Sequence, residues 1–264
     1  MSPGEAAARL PALIDTHCHL DVEAFDADRD QVLAAARAAG LVGIVVPAIH
    51  AAGWARLLRL CASGPDLHPA LGLHPIYLAQ HRPEHVAALG RALVEERPLA
   101  VGEIGLDFHE RDLDPARQQA LFEAQLALAR DAGLPVLLHV RKAHDQVLDT
   151  LKRIRVRGGI AHAFNGSLEQ ARRYLELGFK LGFGGMLTFE RSLRLRPLAR
   201  ALPIEAIVLE TDAPDLTVAA HRGERNSPAY LPDILAALAE VRDADPAALA
   251  AQTTANARAV LGIA

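Results

Sequence analysis

Short apolar runs recur along the chain, mostly ended by polar residues: "ALID", "VGIVVPA", "LHPALGLHP", "LAVGEIG", "LPVLLHV", "GGIAHAF", "FKLGFGG" and "AIVLETD". Each has the length of a strand. Between them lie Ala-, Leu-, Arg- and Glu-rich stretches with helical periodicity, such as Pro115 to Arg130, Ser167 to Leu177 and Leu231 to Arg242. Asp114-Pro115 and Asp245-Pro246 each place a capping side chain before a proline at the first helical position, and Ser167 with Gln170 forms a capping box. Gly40, Gly133 and Gly178 fall where helices should stop. Continuous apolar strands fit a parallel sheet buried on both faces, and eight strand-helix units in about 250 residues predict an α/β fold, the (β/α)8 TIM barrel. A doubly wound open sheet is the competitor, but no phosphate-binding glycine loop follows the first strand, and "GFGG" at Gly182 to Gly185 comes late. With no internal repeat or long linker, a single domain over residues 1–264 is expected. The long polar loop from Pro214 to Pro228 is a place for function.

Composition narrows the function. At 264 residues and 51% apolar content a substantial core is available. With 28 basic and 32 acidic residues, a formal charge of -4, no global surface attracts a polyanion, so a nucleic acid would be held locally. Cys18 and Cys61 are too few for a disulfide framework or a thiolate metal site, which points to a reducing compartment. The opening "MSPGEAAARLPA" has no secretory apolar core and no run reaches membrane-spanning length, so a soluble, cytoplasmic protein is expected.

The chemistry starts at "IDTHCHLD". Side chains alternate in a strand, so His17 and His19 share a face while Cys18 points away. Other metal-binding types fall at corresponding places: Glu103 on the fourth strand, His139 on the fifth, His162 on the sixth and Asp212 on the eighth. Strand C-termini of a (β/α)8 barrel converge on one mouth, where its active sites lie. Each residue alone has a plainer reading: Glu103 a helix cap, His139 and His162 core histidines, Asp212 the start of a turn. Their joint placement favours a metal site. Four imidazoles and two carboxylates suit Zn²⁺, Mn²⁺ or Co²⁺, with Mg²⁺ preferring more oxygen. Six ligands exceed one catalytic ion, so two divalent ions roughly 3.5 to 4 Å apart are expected, bridged by Glu103.

The chain resembles the TatD family of metal-dependent deoxyribonucleases, within the amidohydrolase superfamily, through "IDTHCHLD", "LGLHP", "VGEIGLDF", "PVLLHVRKAHD", "IAHAFNGS", "LGFGG", "VLETDAPDL" and "HRGERNSP", which span nearly its whole length. The "VPA", "RKAHD" and "TDAPDL" segments are similar to the YjjV-like branch. The resemblance implies that His17, His19 and Asp212 hold one ion, that His139 and His162 hold the second, that Glu103 bridges, and that His74 of "LGLHP" lies near the substrate phosphate. The sequence departs from frequent family residues at Lys142, Ala163 and Asn165, and at Asp215, where a tyrosine is common. An anion at 215 disfavours avid DNA binding.

Arg141, two residues past His139, is read either as a phosphate contact or as a rim salt bridge. Arg225 and Asn226 are expected to fix the final loop, Asp107 to orient a ligand, and His50, His68, His81, His85, His109, His144 and His221 to be surface, cap or loop residues. The expected activity is 3′ to 5′ exonuclease cleavage of DNA, single-stranded or at a strand end, by a monomer. Asp212 would be the general base and His74 a donor to phosphate. A hydrolase of an ester or amide on the same barrel is the alternative. Related barrels often bridge their metals with a carboxylated lysine on the fourth strand, where this chain has Glu103. A non-catalytic metal-binding protein is disfavoured because no ligand is missing.

Overall fold

The computed structural model describes residues 12–264, so most of the opening segment read above for a secretory core lies outside the described residues. Eight parallel strands pair in sequence order: β1 (Leu13–Asp15), β2 (Leu41–Pro47), β3 (Leu67–Leu71), β4 (Ala100–Asp107), β5 (Val136–Arg141), β6 (Gly159–Ala161), β7 (Phe179–Phe183) and β8 (Ile207–Leu209). Beyond their ends β1 and β8 are laced together. Thr16 donates through its N–H and its hydroxyl to Leu209 O, both at 3.0 Å, and Asp212 N–H donates to His17 O at 2.8 Å. The helices α1 (Arg29–Ala38), α2 (Trp54–Cys61), α3 (Pro83–Glu95), α4 (Pro115–Ala132), α5 (His144–Arg153), α6 (Leu168–Glu176) and α7 (Leu195–Ala201) fill the crossovers, and α8 (Leu231–Arg242) and α9 (Pro246–Leu261) follow β8. The predicted (β/α)8 barrel is the fold.

Local signals act as expected. Asp114 accepts from the Ala116 and Arg117 N–H groups, Asp245 caps α9 in the same way, and the Ser167/Gln170 capping box is complete. Gly133 ends α4 at φ 67°, in the left-handed region where a side chain is disfavoured. Several strands are shorter than the apolar runs suggest. β3 stops at Leu71, because Pro75 opens a 3-10 turn, and β1, β6 and β8 end before His17, His162 and Asp212. Glu103, in contrast, sits inside β4.

The barrel interior explains where the polar residues go. Its floor is a cluster of Ile14, Val45, Ala70, Ala100, Leu137, Ile160 and Val208, sealed by Ala257 and Leu261 of α9. Side chains repeat their facing every two residues, so the next inward positions above Leu137, Ile160 and Val208 are His139, His162 and Glu210. Outside the sheet a larger cluster, including Phe122, Leu148 and Tyr174, packs the helices down. The interior is therefore apolar at one end and ionisable at the other. Among the described residues no helix is long and apolar enough to cross a membrane.

Candidate metal centre

His17 and His19 follow a bend at Thr16, in a segment in which Cys18 N–H donates to Val45 O (3.0 Å) and His19 N–H to Ala213 O (2.8 Å), so the two imidazoles face the barrel while Cys18 packs in the outer cluster. Asp15 braces it, accepting from the N–H groups of His17 (3.2 Å) and Thr211 (2.9 Å). The His19 Nδ1–H donates to Pro47 O at 3.1 Å, since a carbonyl can only accept, and its Nε2 is left with a lone pair. That Nε2 lies 3.3 Å from His17 Nε2, 3.4 Å from Glu103 Oε2 and 3.6 Å from Asp212 Oδ1. His17 Nε2 is 3.1 Å from Glu103 Oε2 and 3.8 Å from Asp212 Oδ1. Four ligands held tetrahedrally at 2.0–2.1 Å from a zinc-sized ion are about 3.3–3.4 Å apart, and these separations bracket that value. The donors fit a divalent cation.

The opposite oxygen of Glu103 faces other imidazoles. Oε1 is 2.9 Å from His139 Nδ1 and 3.2 Å from His74 Nε2, while His139 Nε2 is held by Asp107 Oδ2 at 2.8 Å. Asp107 thus has the orienting place expected of it. His74 accepts the Ile76 N–H on Nδ1 (3.1 Å), so its proton is on Nε2 and that atom donates rather than ligates. His162 stacks on His17 with ring centroids 3.7 Å apart, and its Nε2 is 3.6 Å from Asp212 Oδ2. The compact groups are His17, His19 and Asp212; His17, His162 and Glu210; and His74, Glu103 and His139. His139 and His162 share none of them.

Burial and charge set the protonation states. Burial pushes the Glu103 carboxyl up, but the surrounding His74, His17 and His139 outweigh it and hold it well below the usual range. Burial lifts Asp212 to about 6, against the pull of His162 and His19. His74 is pushed down to about 4, chiefly by burial. Burial opposes charge on His19 and His162 too, yet Glu103 and Asp212 raise the first to about 9, and Glu210 and Asp212 raise the second to about 10.

Glu210 was not among the expected site residues. It is 1% exposed, its Oε1 lies 2.9 Å from His162 Nδ1, and it accepts the Ala163 N–H at 2.6 Å. Its Oε2, like His17 Nδ1, is buried without a hydrogen-bond partner. Its signal was its place two residues before Asp212 in "VLETD", on the same face. Arg141 makes the rim salt bridges of one of its two readings, its Nη1 lying 3.4 Å from Asp107 and 3.5 Å from Glu110, and it lines the cavity. Arg225 is structural as expected: it forks onto Asp28 and covers the Phe25 ring at 4.6 Å. Asn226 ties the last loop to Thr211 O (2.8 Å) and Asp215 O (2.6 Å). Asp215 stands exposed at the cavity rim. Two of the histidines expected at the surface, in caps or in loops are buried: His81 donates to His74 O at 2.8 Å, and His144 lies 3.2 Å from Tyr174 Oη.

A cavity of about 1340 Å³ opens over these residues. A (β/α)8 barrel with histidines and carboxylates converging at the strand C-termini defines the class of metal-dependent barrel hydrolases. The sequence profile of the TatD related DNases matches residues 14–262. The chain is 42% identical over 247 residues to the uncharacterized metal-dependent hydrolase YjjV of Escherichia coli K12, covering 92% of this chain and 95% of YjjV. The crystal structure of that YjjV superposes with a TM-score of 0.92 at 39% identity, over 96% of this chain and 98% of its own. The 3′-5′ ssDNA/RNA exonuclease TatD of Klebsiella pneumoniae is 37% identical over 258 residues, 95% of this chain and 98% of that protein. The chain belongs to the TatD related DNase family and is a metal-dependent hydrolase.

Gly182 on β7 leaves the room that Glu210 occupies, since a Cβ there would lie 2.1 Å from Glu210 Oε2. Gly182→Ala is expected to cost about 1–3 kcal/mol by overpacking, measured by urea denaturation; an unchanged midpoint would show that the carboxylate moves aside freely.

Proposed function

We propose that the protein is a 3′ to 5′ exonuclease of single-stranded DNA or strand ends that uses two divalent ions at the barrel mouth. The observation that carries this is the division of two carboxylates between separate imidazoles. Glu103 turns Oε2 to His17 and His19 and Oε1 to His139, while Asp212 turns Oδ1 to His17 and His19 and Oδ2 to His162. In this reading His17, His19 and Asp212 would hold one ion and His139 and His162 the other, with Glu103 shared between them. Zn²⁺, Mn²⁺ or Mg²⁺ bound there would supply Lewis acidity to a water and to the phosphate.

The chain's own groups do the rest. Asp212, partly buried with Oδ2 turned towards His162, is the carboxylate placed to accept the proton of the attacking water. His74, with its proton on Nε2, donates to a phosphate oxygen as charge develops there. Arg141 meets the phosphate from the rim, and Asp107 and Glu210 keep His139 and His162 aimed inward. The likeness to the Klebsiella exonuclease supports nucleic acid as the substrate. All the donors come from one chain, which suits a monomer, and a cytoplasmic setting fits the two free cysteines. The alternative, an ester or amide hydrolase on the same barrel, is kept by the uncharacterized standing of YjjV.

Protein stripped with a chelator is expected to lose cleavage of end-labelled single-stranded DNA and to regain it with a divalent ion. Metal-replete protein that spares DNA but turns over an ester or amide would establish the alternative. Glu103→Ala should lose more metal than any other single substitution, by elemental analysis; two ions retained in this variant while His17→Ala empties the site would refute the bridge. Asp212→Asn keeps a ligand oxygen but cannot accept the proton. It is expected to retain most of its metal while kcat falls by about 10² to 10⁴ with little change in KM, and near-native kcat in the metal-loaded variant would remove Asp212 as the base.

A further inference from the structure

The rim of the cavity has apolar residues and arginines that the metal centre does not use. Met186, Leu193, Leu216 and Ile76 are 44%, 80%, 42% and 37% exposed, and all four line this one cavity. Among the described residues the only other exposed large apolar side chains are Val42, Val94 and Leu168. Single exposed apolar residues are ordinary, whereas a group of them around one opening marks a contact surface.

Arg191 and Arg194 belong to the same rim and are exposed. Among the described residues no carboxylate lies within salt-bridge distance of either, whereas nearby Arg196 is tied to Glu240 and Arg141 to Asp107 and Glu110. The loop that carries them, between β7 and α7, is braced rather than loose. Thr188 donates to Gly185 O (2.7 Å) and accepts from Ala219 N–H (2.7 Å), Ser192 donates to Met186 O (2.6 Å), and Leu187 is fully buried. Gly185 lets this loop press against the β8 loop, for a Cβ there would be 2.1 Å from Leu216 O. Leu216 itself has φ 50°, a backbone conformation unfavourable for a bulky residue, while its side chain stays half in solvent. A leucine held in this way contributes little to folding, so its use is sought in binding.

We infer that this rim is a platform for the single strand running into the metal centre, with Arg191 and Arg194 taking backbone phosphates and Met186, Leu193 and Leu216 taking the faces of bases; the assignment rests on the nuclease reading above. A lone anion would need only the arginines. Alternating phosphates and flat apolar bases need both, and contact of this kind is tolerant of sequence. The cavity of about 1340 Å³ also exceeds the roughly 300–1,000 Å³ of ordinary small-molecule sites.

The test is fluorescence anisotropy of a labelled five-nucleotide thymidine strand, with every protein carrying Asp212→Asn so that the strand persists. Arg191→Ala with Arg194→Ala should weaken binding about tenfold and reduce the salt slope by about 1.4, because each single-strand phosphate contact contributes about 0.7. Lysine at both positions should keep the slope. Leu216→Gly should weaken binding about fivefold with the slope intact and Tm not lowered, since glycine accepts the positive φ. Unchanged affinity in both sets of variants, or arginine-dependent binding of anionic phospholipid vesicles in place of the strand, would overturn the platform. An enzyme with Asp212 intact that cleaves no DNA, beside strand binding that responds to the arginines, would remove the nuclease reading and leave the platform standing.

Discussion

A carboxylate that is 1% exposed survives as an anion only where positive or donating groups surround it, and Glu103 has imidazole nitrogens of His17, His19, His74 and His139 within 3.4 Å of its oxygens. Those imidazoles are themselves oriented from behind. Pro47 O fixes His19, the Ile76 N–H fixes His74, and Asp107 fixes His139. The arrangement is a low-dielectric chamber whose negative charge draws cations inward. The same field that favours protons on His19 and His162 favours a divalent ion, and binding the ion releases protons from its ligands.

The barrel supplies the chamber by repetition. On β5 and β6 the inward positions two residues apart pass from the apolar floor to His139 and His162, whereas a bend at Thr16 and a register irregularity between Val101 and Ile104 turn His17, His19 and Glu103 inward. Asp212, like His17, His19, His74 and His162, stands beyond the end of its strand. It lies three residues past β8 with φ 59°, and its backbone is pinned by its own N–H to His17 O, by Thr211 held on Asp15, and by Asn226 holding Thr211 O and Asp215 O. The strands β1 and β8 thus meet through the residues that also aim Asp212. Stability of the seam and geometry of the site are one set of hydrogen bonds.

Much of this is legible in the sequence. The eight strands, the capped helices at Asp114, Asp245 and Ser167 and the convergence of His17, His19, Glu103, His139, His162 and Asp212 on one mouth follow from apolar periodicity, local capping signals and the barrel topology they predict. Glu210 escaped because a single glutamate ending an apolar run carries no local mark of a partner; what identifies it is the space left by Gly182 and the ring of His162. The buried placement of His144 depends likewise on Tyr174, 30 residues away.

The sequence by itself determined the elements and their order, because helix caps, glycine stops and apolar periodicity act between residues a few positions apart. It also determined the kinds of ligand available at the ends of β1, β5, β6 and β8 and within β4. Only the tertiary structure decided which oxygen of Glu103 faces which imidazole, that His74 donates rather than ligates, and that Arg141 leans on Asp107 while Arg191 and Arg194 stay unpaired among the described residues. Those choices depend on contacts across the barrel, such as Thr211 on Asp15 over 196 residues, and on burial that makes each unpaired charge costly. Neither is encoded in any local stretch of chain.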